Sequence, residues 1–297
     1  MNEVNFKLLV GDCVESMKAL PDQSINCCVT SPPYFGLRDY GVDGQIGLEL
    51  TPEQYVAKIV EVFREVRRVL RDDGTLWLNI GDSYVGATSQ HKEGGSQGHN
   101  SCIAKKTMSG IPQNGRGDRN RALYKAGIKM KDLIGIPWML AFALRADGWY
   151  LRQEIIWHKP NPMPESVKDR CTKAHEQIFL LSKSPRYYFD SEAMKEVAVD
   201  GTGSRNRRSV WSVATRPYKG AHFATFPPAL IEPCILAGCP VGGVVLDPFG
   251  GSGTTAGVAV ANGRNAILCE LNADYCSLVE GRVGSIRNLL LGGNHGQ

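Results

Sequence analysis

Short runs of apolar residues alternate along this chain with longer stretches in which apolar positions recur every three or four residues. FKLLV (6–10), INCCVT (25–30), TLWLNI (75–80), YLRQEIIWH (150–158), EQIFLLS (176–182), GVVLD (243–247) and NAILCE (265–270) read as strands. TPEQYVAKIVEVFREVRRVL (51–70) is the clearest helix. Thr51 and Gln54 form a capping box, Pro52 takes the first helical position, and Asp72-Asp73-Gly74 is the expected stop. Val56, Ile59, Val60, Phe63, Val66 and Leu70 share one face, which predicts packing on a sheet. Further helices are expected over 14–20, 137–145 and 229–236, and after the glycine-rich turn that follows Asp247. Strands alternating with helices imply an α/β domain with a mostly parallel sheet covered on both faces.

Residues 85–130 interrupt this rhythm. They are rich in Gly, Ser, Asn and Gln, with little apolar periodicity, and read as a long insertion that orders on a partner. They also change the meaning of the net charge of +4. This segment holds eight Lys/Arg against two acids, and 201–219 holds five, Arg205, Arg207 and Arg208 among them, against none. The rest of the chain is therefore acidic. Two basic segments on an acidic body form the charge pattern of a polyanion-binding face.

Composition excludes more than it selects. A 42 % apolar and 22 % charged chain of 297 residues is ordinary for a soluble globular protein, long enough for one sizeable domain or two small ones. No apolar run approaches the ~20 residues that span a bilayer. MNEVNFKLLVGD lacks the basic start and apolar core of a signal peptide. Nine cysteines with no C-x-x-C pair argue against a zinc site or a disulfide framework, so no metal, reduced thiols and a cytoplasmic location are expected.

VVLDPFGGSGTTAGVAVANGRNAILCEL (244–271) is a βαβ unit with Gly250, Gly251 and Gly253 in its first turn. Glycines there let a ligand approach the backbone, and the following helix offers free N–H groups. Glu270 closes the next strand, 23 residues after Asp247, where a nucleotide-binding crossover places the carboxylate that bonds ribose hydroxyls. The turn is not G-x-G-x-x-G. Its Asp247 would repel a pyrophosphate and suits a cationic or zwitterionic ligand, such as the sulfonium and amino groups of S-adenosylmethionine.

TSPPYFGLRDYG (30–41) leaves a strand through two prolines. Neither has an N–H to donate, so the turn is stiff and its carbonyls are expected to lie open to an outside partner. TSPPY together with DPFGGSGTT resembles the DNA amino-methyltransferases, which methylate cytosine N4 or adenine N6. The order of motifs, SPPY first and DPFGGSGTT late, resembles the permuted β class, and the likeness runs from about residue 8 to 279. It implies one catalytic domain over 1–297 with a Rossmann-like, seven-stranded methyltransferase sheet, mostly parallel with one antiparallel strand, binding S-adenosylmethionine and a base at its carboxyl ends. Carried onto this chain, Asp247, Phe249, Gly251, Gly253 and Thr254 match the cofactor loop, and Glu270 the ribose ligand. Asp12 falls near the adenine, with a helix cap as its alternative role. Phe223, Thr225 and Phe226 match the segment that holds the methionine moiety, with core packing as the alternative for Phe226.

The chemistry explains the prolines. An exocyclic aromatic amine is a poor nucleophile because its lone pair is delocalised into the ring. Acceptors on both amine protons, the Ser31 side chain and the Pro32 carbonyl, would favour a pyramidal nitrogen aimed at the methyl group. Pro33 stiffens the turn, Tyr34 offers a stacking face, and a duplex base must flip out to reach it. Double-stranded DNA is the implied partner, with Arg116, Arg119 and Arg121 in the insertion and Arg205, Arg207 and Arg208 in a target-recognition segment (191–219) as candidate contacts. The resemblance is to prokaryotic or phage-type enzymes. A cognate restriction endonuclease and a second copy of the chain are further candidate partners.

Ser at the first position of the tetrapeptide favours cytosine N4, and adenine N6 is the alternative. Three rivals are weaker. Pro233-Cys234 offers the dipeptide of cytosine-C5 enzymes, but no Glu-Asn-Val accompanies it. Glutamine methyltransferases of release factors carry an N-P-P-Y turn after the cofactor motif, not before it. A DNA-binding relic with a dead site would not need Ser31, Tyr34, Asp247 and Glu270 intact.

Overall fold

Ten strands and seven helices are present in a computed structural model whose described residues are 5–85, 113–198, 201–215 and 225–292. In chain order they are β1 (Phe6–Val10), α1 (Cys13–Lys18), β2 (Ile25–Thr30), α2 (Pro52–Val69), β3 (Leu70–Ile80), α3 (Gln113–Lys125), α4 (Ile136–Ala146), β4 (Tyr150–His158) and β5 (His175–Ser182). After them come β6 (Lys195–Val197), β7 (Ser204–Asn206), β8 (Val210–Ser212), α5 (Pro228–Gly238), β9 (Val244–Asp247), α6 (Thr254–Ala261), β10 (Asn265–Glu270) and α7 (Ala273–Gly292).

The seven strands legible in the sequence all join one sheet, in the order β1-β10-β9-β2-β3-β5-β4, and β8 adds a three-residue eighth strand on the outer edge of β4. Among the described residues, only β5 runs against its neighbours in this sheet. Between β9 and β2 the connections diverge: β2 leads to β3 on one side, and β9 to β10 on the other. That is a topological switch point, the place where an open α/β sheet leaves a crevice beyond its carboxyl ends.

Period-two alternation sorts the strand residues onto the two faces. Cys28, Leu76, Leu78 and Leu246 pack with α1, α2 and α4, while Cys27, Val29, Trp77, Val245 and Leu268 pack with α5, α6 and α7. The adjacent Cys27 and Cys28 thus point to opposite layers. Thr51 caps α2 by accepting from the Gln54 N–H at 3.3 Å, and Val56, Ile59, Val60, Phe63 and Val66 are buried as their spacing requires. Burying a side chain the size of Phe63 contributes about 2–3 kcal/mol.

Two expectations need correction, and one helix was not foreseen. The α2 helix stops at Val69, because Leu70 turns to extended backbone, and Asp72-Asp73-Gly74 lies within β3. Residues 113–125 of the basic insertion form α3, which buries Leu123 although its apolar periodicity is weak. The long helix α7 after β10 carries Val279, Val283 and Ile286 into the core and was not evident from the pattern. No helix among the described residues is long and apolar enough to cross a membrane.

Candidate active site

Two turns meet at the switch point, one after β9 and one after β2. The first begins at Asp247, whose side chain is 1 % exposed. Its Oδ1 accepts from the Thr30 hydroxyl at 2.6 Å and from the Phe249 N–H at 3.0 Å, and its Oδ2 accepts from the Thr255 hydroxyl at 2.6 Å. This corrects the expectation that Asp247 faces a cationic ligand: its oxygens are filled from inside the protein. Burial pushes its pKa up, and the three donors oppose that shift. The carboxylate works as a clasp. Through Thr30 it joins the glycine-rich turn to the residue that precedes Ser31.

The rest of this turn is closed by backbone. Gly250 donates to the Cys269 carbonyl at 2.8 Å and Gly253 to the Gly250 carbonyl at 2.9 Å. Gly253 has φ +90° at the start of α6, and a Cβ there would lie 2.9 Å from Val279 Cγ1, so only glycine fits. Glu270 receives the Gly251 N–H on Oε2 and the Asn272 N–H on Oε1, both at 2.8 Å. Burial raises its pKa and these amides lower it. Gly11 donates to the Glu270 carbonyl at 2.8 Å, which brings Asp12 beside it. Asp12 caps α1 by accepting from the Glu15 N–H at 3.0 Å, the alternative role foreseen for it.

The hydroxyls of Ser252 and Thr254 are buried in this turn and have no hydrogen-bond partner among the described residues. Orphaned donors of this kind call for an outside acceptor. With the Glu270 carboxylate at the end of the neighbouring strand, they fit a ligand carrying ribose hydroxyls at one end and a carboxylate at the other, as S-adenosylmethionine does. Phe249 is half-buried against the core, and Thr225 and Phe226 lead into α5 with Phe226 packed on the second core layer. Phe223 lies outside the described residues.

The second turn is supported from several directions. Pro32 is buried, and Ser31 is half-buried beside the clasp. The Pro33 carbonyl accepts from the Tyr55 hydroxyl of α2 at 2.8 Å, so that carbonyl is not open as expected from the prolines. Phe35 is buried against Tyr55, with ring centroids 5.6 Å apart. Tyr34 is partly buried, and its ring rests on Gly81, where a Cβ would come within 2.6 Å of Tyr34 Cε2. Its hydroxyl is buried and donates to Glu176 Oε2 at 2.7 Å. Burial first, and then the Glu176 carboxylate, hold that hydroxyl well above the ordinary tyrosine range. Asp82, at the end of β3, accepts from the Gly135 and Ile136 amides at 3.0–3.1 Å and so caps α4.

The candidate DNA contacts divide sharply. Arg119 is buried, with its guanidinium 5.4 Å from the Phe35 ring and its Nε donating to the Glu49 carbonyl at 3.2 Å. It buttresses the turn and does not face a phosphate, a correction that follows from α3 packing on this side of the molecule. Arg121 is exposed on the same helix, and the Arg116 side chain lies outside the described residues. Arg205 is paired with Glu196 at 2.9 Å across the β6–β7 ladder, and Arg207 lies 4.8 Å from the Trp211 ring. Arg208 is exposed. Cys234 is buried in α5, where burial raises its thiol pKa, so it is no C5-type nucleophile.

Sequence reasoning missed Thr30, Ser252, Asn79 and Glu176. The first two adjoin the motifs and could have been found by asking what satisfies Asp247 and which other hydroxyls the glycine-rich turn carries. The other two have no local signal.

Comparison with known proteins bears on this arrangement. A profile of the DNA methylase family matches residues 25–281. Type II methyltransferase M.SmaI of Serratia marcescens is 50 % identical over 280 residues, covering 93 % of this chain and 90 % of the relative. Type II methyltransferase M.Cfr9I of Citrobacter freundii is 50 % identical over 276 residues, covering 93 % and 87 %. Among solved structures, the PvuII cytosine-N4-specific DNA methyltransferase superposes with a TM-score of 0.67 at 19 % identity, covering 97 % of this chain and 93 % of that one. A Thermus thermophilus protein described as a DNA modification methylase, in complex with S-adenosyl-L-methionine, gives 0.62 at 25 % identity, with 96 % of each chain covered.

Proposed function

The chain belongs to the DNA methylases, and on that premise we propose that it methylates the N4 amine of a cytosine flipped out of duplex DNA. It is a site-specific DNA methyltransferase of the Type II kind, with S-adenosylmethionine as methyl donor.

The observation that carries it is the 2.6 Å bond from Thr30 to Asp247, which holds the turn after β2 at a fixed separation from the turn after β9. Direct transfer between two bound partners depends on such fixed proximity. Ser31 Oγ and the Pro32 carbonyl accept from the two amine protons and draw the nitrogen toward a pyramidal shape with its lone pair directed at the donor. The partly buried Tyr34 ring stacks on the base. Glu270 bonds the ribose hydroxyls, Ser252 and Thr254 donate to the cofactor carboxylate, and Asp12 lies on the adenine side. Phe223, Thr225 and Phe226 flank the methionine moiety. S-adenosylmethionine, when bound, supplies the electrophilic methyl group.

Ser31 supports cytosine, because Asp is typical at this position in the adenine enzymes that the chain resembles. A restriction endonuclease cutting the same sequence is the partner we propose from the Type II relatives. Mass spectrometry of nucleosides from DNA treated with the protein tests the acceptor. N4-methylcytosine is expected, and N6-methyladenine alone would reassign it.

A further inference from the structure

Because β5 runs antiparallel to the strands beside it, its first residues arrive at the edge of the sheet where the other strands end. Ile80 of β3 pairs with Gln177, and His158 of β4 pairs with His175. This brings together Asn79 from the end of β3, Glu176 from the start of β5 and Lys159 from just beyond β4. Glu176 Oε2 accepts from the Tyr34 hydroxyl at 2.7 Å and from Asn79 Nδ2 at 3.2 Å, while Oε1 is ion-paired with Lys159. Asn79 is itself held by the Gln177 carbonyl at 3.2 Å, and Lys159 lies 4.3 Å from the Trp157 ring. The Glu176 and Lys159 side chains are only 14 % and 19 % exposed, so little water competes for these bonds.

We propose that Glu176 is a positioning residue for base stacking: fixed by Lys159 and Asn79, its carboxylate holds the Tyr34 hydroxyl and sets the plane of the ring. The inference rests on the reading of Tyr34 as the stacking face. Three contacts fix the ring: Gly81 under one face, where no side chain fits, and, at the hydroxyl, Glu176 at 2.7 Å with Asn79 Oδ1 farther off at 3.4 Å. A tyrosine fixed in this way presents its remaining face in one orientation, so the ring itself loses little freedom when a base stacks on it. A short bond to a carboxylate is among the stronger hydrogen bonds available here.

A double-mutant cycle tests this, using Tyr34→Phe, Glu176→Ala and the double variant in the full-length protein. Three readouts serve: kcat on saturating duplex DNA, fluorescence of 2-aminopurine at the target position, and calorimetric cofactor affinity. Each single variant is expected to lose about tenfold or more in kcat and to change the 2-aminopurine signal, with cofactor affinity unchanged. The double variant is expected to lose no more than the worse single one. Glu176→Gln keeps an acceptor of the same shape and is expected to recover part of the loss; it also replaces Glu176→Ala in the cycle if that variant does not fold. Losses that multiply in the double variant, or full activity in Tyr34→Phe, would overturn the assignment while leaving the methyltransferase reading intact. A wild-type protein that methylates no DNA would overturn both.

Discussion

The two turns leave adjacent strands, yet they are held by different kinds of support. The one after β9 is closed by its own neighbourhood: Phe249, Thr255, Gly251 and Glu270 all lie within one βαβ unit. The one after β2 draws on the whole chain. Tyr55 holds the Pro33 carbonyl from 22 residues away, and Glu176 holds Tyr34 from 142 away. Arg119 packs on Phe35 from a third element. The candidate cofactor turn is therefore built into a local motif, whereas the turn proposed to present the base requires the completed fold. The Thr30–Asp247 bond, spanning 217 residues, is where the two schemes meet.

The largest expected effect comes from removing that meeting point. Asp247→Ala leaves two hydroxyls and one amide without their acceptor, which costs about 3 kcal/mol or more in stability. Calorimetry should show cofactor binding lost, and thermal melts a lower Tm. A cofactor defect with an unmoved Tm would mean that the carboxylate is no clasp. Next come Ser31→Ala and Tyr34→Ala, each expected to lower kcat about a hundredfold or more with cofactor affinity nearly intact. Parallel loss of cofactor binding in both would erase the distinction between the turns.

Thr30→Val is the sharper probe, since it removes only the donor that couples them and keeps the shape. We expect kcat to fall about tenfold and cofactor affinity to stay within about twofold, because Thr255 and Phe249 still hold Asp247. The smallest effect concerns the segment around Arg205–Arg208, the candidate target-recognition region. Arg205 is engaged by Glu196 and Arg207 by Trp211, so neutralising both with Arg208 should change the slope of log affinity against log salt by about 0.9, one phosphate contact, and not about 2.7. Arg208→Gln alone should reproduce it in binding titrations at several salt concentrations.

The same contrast governs what the sequence could reveal. Strand identity was readable because each of the seven buried runs carries its own apolar pattern, and the place of Glu270 at the end of β10 was readable from its distance to Asp247. Asp247 was misjudged because its donors, Thr30 and Thr255, belong to elements that only the fold brings around it. Arg119 looked like a surface charge because nothing in a glycine- and asparagine-rich segment signals that α3 packs on Phe35. Glu176 sits in an ordinary strand, and its place depends on that strand's reversal. Residues whose role is fixed by neighbours in the chain are legible, and those fixed by sheet order are not.

Sheet order also has a consequence for synthesis. The first strand, β1, pairs with the last, β10, and the Asn5–Asn265 bond beside them spans 260 residues. Likewise β2 gains its second neighbour only when β9 is made. At roughly 5–20 residues per second, translation leaves these strand edges open for tens of seconds. Such edges invite pairing with other chains, and long-range closure of this kind is slow. The ribosome-bound chain thus holds a finished SPPY sequence long before β9 and β10 complete the sheet beside it.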